Sequence, residues 1–147
     1  MDKVLHLEYE VEGGNFASAG TASDEIKKYL KQMGIASEDV RRVAISVYEG
    51  EINMVIHAGG GKALADIYLD RVDIQLIDTG KGIEDIELAM QPGYSTAPDD
   101  IRALGFGAGM GLPNMKKYSD EFYIVSEPGK GTTVKLTVYF GENPEKR

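Results

Sequence analysis

The chain lacks several features on which whole classes of protein depend. None of its 147 residues is a cysteine, which excludes disulfide bonds and thiolate metal sites and fits a reducing compartment. No apolar run approaches the ~20 residues that a membrane-spanning helix needs, and the acidic N-terminus differs from a secretory signal peptide. We therefore expect a cytoplasmic protein that has no membrane partner.

Positive charge is also scarce. The 16 Lys and Arg residues stand against 24 Asp and Glu, which gives a formal net charge of −8 at pH 7. Nucleic acids and anionic membranes are held by clustered basic residues, so neither is an expected partner. The length and the 42% hydrophobic content are typical of one globular domain. We assign residues 1–141 to that domain and residues 142–147 to a charged tail without core residues.

The pattern that follows Ser37 predicts a long helix with a narrow polar side. Apolar residues recur with the helical period and cover most of its circumference. Glu49, Asn53 and His57 are spaced by four residues, so they line up on the remaining strip. The carbonyl of Asn53 suits Mg²⁺, and the carboxylate of Glu49 can accept a proton. The alternative is an ordinary amphipathic helix with a solvated polar seam.

Two other residues of this helix carry separate predictions. Ser37 precedes two acidic residues and is the expected N-cap. Glu51 falls on the apolar side, away from Glu49 and Asn53. A buried carboxylate needs a partner, so we expect Glu51 either at an interface or next to a buried cation.

The rest of the chain alternates between strand-like and helix-like patterns. Period-two alternation predicts strands over 4–11, 62–70, 72–78, 121–126 and 132–140. Helical spacing predicts helices over 15–33, 84–90 and 112–119.

A short glycine motif closes the strand predicted over 72–78. Asp78, Gly80 and Gly82 form the pattern Asp-x-Gly-x-Gly. Because glycine has no side chain, a flat ligand can lie against the backbone while the Asp78 carboxylate accepts a hydrogen bond. An ordinary glycine-rich turn is the alternative, and the motif alone does not decide between them.

A second segment has glycine at every second position, namely Gly105, Gly107, Gly109 and Gly111. Successive backbone N–H groups, and a helix that begins near Pro113, can point at phosphate oxygens. A flexible hinge is the other interpretation, and both are compatible with a lid over 91–111. The segment is not a P-loop, since no Gly-Lys-Ser/Thr follows, and no strand leads directly into it as in a dinucleotide-binding fingerprint.

Taken in this order, the three motifs resemble the N, G1 and G2 boxes of the GHKL ATPases, which include gyrase-like, Hsp90-like and histidine-kinase catalytic domains. Gly131-Thr132-Thr133 resembles the last adenine-site element of that superfamily. Over nearly the whole chain, the resemblance is closest to small bacterial anti-sigma-factor and stressosome-switch serine/threonine kinases. Gly93-Tyr-Ser-Thr96 and Asp120-Glu-Phe122 are similar to the switch-kinase branch.

This resemblance implies a fold and a set of roles. The fold is α+β of the Bergerat type, a two-layer sandwich with a mixed, mostly antiparallel sheet, helices on one face and an ATP lid. Glu49 would be the catalytic residue, and Asn53 would coordinate Mg²⁺. The other implied ATP-binding residues are Asp78 and Thr133 for the adenine, Gly80 and Gly82 beside the base, and Gly105, Gly107, Gly109 and Gly111 around the phosphates.

The resemblance also implies an activity and partners. The protein would be an ATP-dependent serine/threonine kinase of a partner-switching system that phosphorylates a small STAS-like antagonist, with a sigma factor as a further candidate partner. The alternative is an ATP-dependent module that sequesters a sigma factor with little or no kinase activity. A detached histidine-kinase catalytic domain is disfavoured because no phospho-acceptor helix is present. A homodimer is compatible with each of these functions.

Overall fold

The computed structural model describes residues 3–83, 85–92 and 111–141, apart from the side chains of residues 57 and 58; the predicted tail lies outside these ranges. The strands are β1 (Leu5–Glu12), β2 (Gly60–Ile67), β3 (Arg71–Ile77), β4 (Glu121–Glu127) and β5 (Gly131–Tyr139). The helices are α1 (Thr21–Gln32), α2 (Ser37–Asn53), α3 (Ile86–Ala89) and α4 (Gly111–Tyr118). A 3₁₀ turn (Phe16–Ser18) precedes α1, and a π-helical turn (Met54–Ala58) continues α2.

The five strands form one sheet in the order β1-β2-β3-β5-β4. Each neighbouring pair runs antiparallel. The alternating residues of the central strands are buried on one face, where they form a single core with residues of α1, α2 and α4. The expected α+β class with helices on one face of the sheet is therefore confirmed. No helix in the described ranges is both long and apolar enough to cross a membrane.

The core brings α2 into direct contact with β3. Gly50 lies on the side of α2 that faces the sheet, and a Cβ at this position would collide with Cδ1 of Leu76. A helix can approach a strand this closely only where a side chain is missing. The contact fixes the height and rotation of α2 over the sheet, and with them the positions of Glu49 and Asn53.

Two predictions about helix starts are wrong. The helix predicted over 15–33 is a 3₁₀ turn followed by α1, because Gly20 at the N-cap position has a φ of +99° that interrupts the helical path. Ser37 is not an N-cap. It is already the first helical residue of α2, and Ala36 before it has no side chain that could accept a capping hydrogen bond.

Among the described residues, the partners of the Glu51 carboxylate are backbone N–H groups rather than the buried cation or the interface expected for it. Its carboxylate accepts backbone hydrogen bonds from Gly20 at 3.0 Å, Ala22 at 3.1 Å and Ser23 at 2.7 Å. These are N–H groups at the start of α1, which have no partner within their own helix. Glu51 therefore caps α1 from a neighbouring helix, where its negative charge also faces the positive end of the helix dipole.

This arrangement predicts a large loss of stability for Glu51→Ala. The substitution leaves three buried N–H groups without an acceptor, and we expect the free energy of unfolding to fall by about 2–4 kcal/mol. Urea unfolding followed by circular dichroism measures the change. Glu25→Ala, on the exposed side of α1, is the control. A loss for Glu51→Ala no larger than that of the control would contradict the capping role.

Candidate functional site

The C-terminal half of α2 packs against the start of α4 and forms the first part of the site. A Cβ at Gly111 would lie 2.9 Å from both Oδ1 and Nδ2 of Asn53, so a larger residue at this position would displace the Asn53 amide. One helical turn earlier on α2, Oε1 of Glu49 accepts a long hydrogen bond of 3.4 Å from Nδ2 of Asn114. Two contacts one turn apart therefore join the polar strip of α2 to α4.

Glu49 is partly buried, and this changes its acidity. Burial raises the pKa of the Glu49 carboxyl above its ordinary value, while the hydrogen bond from Asn114 acts in the opposite direction. Desolvation disfavours the charged form of a carboxyl and makes it a better proton acceptor near neutral pH. Within the described ranges, Oε2 of Glu49 has no hydrogen-bond partner, so this oxygen is open to a substrate.

The second part of the site lies where β3 ends. Oδ1 of Asp78 accepts hydrogen bonds from the backbone N–H of Gly80 at 3.0 Å and of Thr132 at 3.2 Å. The backbone N–H of Asp78 in turn donates to the carbonyl of Thr132 at 2.9 Å. No described residue bonds to Oδ2, so one oxygen holds the carboxylate in place and the other can accept a hydrogen bond from a ligand.

Two glycines let this loop lie against the turn between β4 and β5. Gly82 has a φ of +76° and Gly131 a φ of +129°, conformations that other residues rarely adopt. A Cβ on Gly82 would collide with the carbonyl oxygen of Glu127, and one on Gly131 with that of Asp78. Gly82 thus has a packing role in the structure itself, beside the ligand contact predicted for it.

A hydroxyl network also holds this loop. Oγ of Ser126 accepts a hydrogen bond of 2.7 Å from the backbone N–H of Ile83 and is 2.7 Å from Oγ1 of Thr132. Sequence reasoning missed Ser126 because the N–H group that it accepts from, that of Ile83, comes from a distant part of the chain. Its spacing before Gly131-Thr132-Thr133 was the only available signal.

The two parts of the site adjoin at Gly61. A Cβ there would lie 2.7 Å from Sδ of Met54, the residue after Asn53, and 3.2 Å from Cα of Asp78. Thr133 pairs with Ile77 and so lies on the strand beside Asp78. The residue that follows Asn53 and the backbone of Asp78 therefore meet at Gly61. Gly105, Gly107, Gly109 and most of the predicted lid lie outside the described residues.

The donor set fits a magnesium ion that is bound together with a phosphate ligand. In the described part of the chain, no group of three or more His, Asp or Glu residues could hold a metal by itself. Mg²⁺ in nucleotide sites uses one or two protein ligands and completes its shell with phosphate oxygens and water. The carbonyl of Asn53, which lies against Gly111, has the chemistry that such a ligand requires.

Comparison with known proteins identifies the family of this chain. A family model described as histidine kinase-, DNA gyrase B- and HSP90-like ATPase matches residues 32–142, more than half of the chain.

Curated relatives match over most of the chain. An anti-sigma F factor of Caldanaerobacter subterraneus subsp. tengcongensis is 33% identical over 147 residues, which covers 97% of each chain. An anti-sigma F factor of Thermoanaerobacter sp. is 36% identical over 123 residues, 80% of this chain and 82% of the relative.

A solved structure of the RsbU and RsbW domains of a Mycobacterium tuberculosis protein shares the fold. It superposes with a TM-score of 0.63 at 18% identity over 93% of this chain. The chain spans 32% of that longer protein. At this identity the likeness concerns the fold alone.

The environment of Glu49 predicts how stability depends on pH. Its folded-state pKa lies above the ordinary value of 4.5, so the folded protein binds more protons than the unfolded chain between these two values. Stability from this group is therefore fully present below pH 4.5 and is lost as the pH rises through the folded pKa. Glu49→Gln removes that loss, so the variant should gain stability relative to the parent between pH 4 and pH 7. Urea unfolding at both pH values measures the gain.

The control for this measurement is Glu25→Gln, which changes the net charge equally at an exposed position of α1. If Glu49→Gln gains no more than Glu25→Gln between the two pH values, the desolvation of Glu49 is refuted.

Proposed function

Since the chain belongs to the family of histidine kinase-, DNA gyrase B- and HSP90-like ATPases, we propose that it is a cytoplasmic serine/threonine protein kinase. Residues 1–141 would form its kinase domain, and its substrate would be a small STAS-like antagonist protein of a partner-switching system. The observation that carries the proposal is the pairing of Glu49 and Asn53. A desolvated carboxylate with one open oxygen lies one helical turn from an amide suited to Mg²⁺.

ATP binding follows from the two parts of the site. The open oxygen of Asp78 accepts a hydrogen bond from the adenine amino group, with Thr133 on the neighbouring strand and Gly80 and Gly82 beside the base. Gly105, Gly107, Gly109 and Gly111 would supply backbone N–H groups to the phosphates. Asn53 would hold Mg²⁺, which would supply positive charge to neutralise the phosphates.

The chemistry needs little more than positioning. Oε2 of Glu49 accepts the proton of a serine or threonine hydroxyl on the partner protein. The hydroxyl oxygen forms a bond to the γ-phosphorus, the bond between that phosphorus and the β–γ bridging oxygen breaks, and ADP leaves. The products are ADP, a phosphorylated partner and a protonated Glu49 that returns its proton to solvent.

A second candidate function is favoured by the relatives that are named anti-sigma F factors. In that case the protein sequesters a sigma factor in an ATP-dependent way, with little or no kinase activity. Both functions use the same nucleotide site, and either is compatible with a homodimer. They differ in whether the carboxylate of Glu49 is needed for phosphoryl transfer or only for the structure.

Asn53→Ala should abolish Mg²⁺-dependent ATP binding while leaving the fold intact. The residue is partly exposed on the polar strip, so its removal deletes a ligand without opening a core cavity. Calorimetric titration with Mg-ATP measures the affinity. Gln32→Ala, which deletes an exposed amide at the end of α1, is the control. Undiminished affinity in Asn53→Ala would remove this residue from the site.

Glu49→Gln should separate binding from chemistry. Glutamine keeps the shape and the bond to Asn114 but cannot take a proton, so Mg-ATP affinity should survive while phosphoryl transfer falls by ~10²-fold or more. Labelled ATP and the proteins encoded by neighbouring genes provide the assay, with Glu25→Gln as control. Label on serine or threonine supports the kinase, and tight binding without label supports sequestration. Equal transfer rates in Glu49→Gln and the parent would make Glu49 structural.

A further inference from the structure

We propose that Asn114 is a positioning residue that holds Glu49 in the orientation needed to accept the substrate proton. This inference rests on the proposed kinase function and deepens it. The hydrogen bond from Nδ2 of Asn114 occupies Oε1 of Glu49 and no other described group bonds to that carboxylate. Asn114 thus holds Oε1 in place, and Oε2 remains available to accept the substrate proton.

The hydrophobic core holds the helix that carries Asn114. Asn114 lies on α4 between Leu112 and Met115, which are 9% and 0% exposed. These two side chains fix α4 against α2 without help from a ligand. The amide of Asn114 therefore presents its donor to Glu49 from a rigid element, as a precisely oriented base requires.

The second contact between the two helices connects Asn114 to the metal ligand. Asn53 meets Gly111, and Glu49 meets Asn114, so each helix contributes two residues separated by about one turn. Any shift of α4 would move both contacts together. The position of α4 against α2 thus determines the orientation of both the proton acceptor and the Mg²⁺ ligand.

Helix stability does not explain asparagine at this position. Asparagine is a poorer helix former than alanine, and its side chain competes for backbone hydrogen bonds. The contact with Glu49 gives the residue a reason. Because alanine is the better helix former, Asn114→Ala is expected to leave α4 folded. A loss of activity in this variant then reports a loss of positioning.

Kinetics of two variants test the role. Asn114→Ala deletes the donor, and Asn114→Asp keeps the shape but replaces the donor with an acceptor beside Glu49. Both should lower kcat by about 10-fold or more while the KM for ATP stays unchanged, because the interaction serves the chemical step. Lys117→Ala, an exposed change on the same helix, is the control and should leave both constants unchanged.

A double-mutant cycle separates positioning from a general structural effect. In the Glu49→Gln background, Asn114→Ala should produce no further loss of kcat, because its effect passes through the carboxylate. If the two losses multiply, Asn114 acts independently of Glu49 and the inference is overturned.

A spectroscopic measurement keeps this inference distinct from the proposed function. The side-chain amide signals of Asn114, assigned by their absence from Asn114→Ala, should shift in Glu49→Gln and stay in place in Glu25→Gln. Unmoved signals overturn the contact, whatever the enzyme does. If the signals shift in Glu49→Gln but the parent protein transfers no phosphate to any partner, the contact stands and the kinase function is overturned. The catalytic part of this inference is then overturned with it.

Discussion

The site depends on one close approach, that of Gly111 to the amide of Asn53. Two helices meet there without an intervening side chain, since a Cβ at Gly111 would lie 2.9 Å from the amide atoms. Met115, fully buried, holds α4 in place from the core side. Gly50 plays the matching part for α2, because its missing side chain lets α2 rest on Leu76. The same packing that forms the core therefore brings the polar atoms of the site together.

Glu49 and Glu51 show how environment separates two carboxylates on one helix. Burial raises the pKa of both Glu49 and Glu51. Glu51 accepts three backbone hydrogen bonds, which use both of its oxygens and bind it into the fold. Glu49 has a single long bond from an amide and keeps one oxygen open. A buried carboxylate with all its hydrogen bonds made stabilises the fold. A desolvated carboxylate that can still accept a hydrogen bond is available for chemistry.

Local periodicity predicted the elements well. Each strand begins and ends within three residues of its predicted bounds, and the polar strip of α2 was found from spacing alone. Apart from the two helix starts, the errors concern contacts between distant parts of the chain. Glu51 finds its partners about 30 residues away, at Gly20 to Ser23, and Glu49 meets Asn114 from the other half of the chain. No period within one element carries such information, so these partners required the fold.

The glycines of this site matter mainly because they lack a side chain, which lets neighbouring segments come into contact. Gly61 lets Met54 approach Asp78, and Gly131 lets the end of β3 lie against the turn between β4 and β5. A side chain at Gly61 would push apart the helix end that carries Asn53 and the strand end that carries Asp78. The separation of Asn53 and Asp78 therefore depends on the absence of a side chain at Gly61. The same glycine thus determines how closely the two parts of the site approach each other.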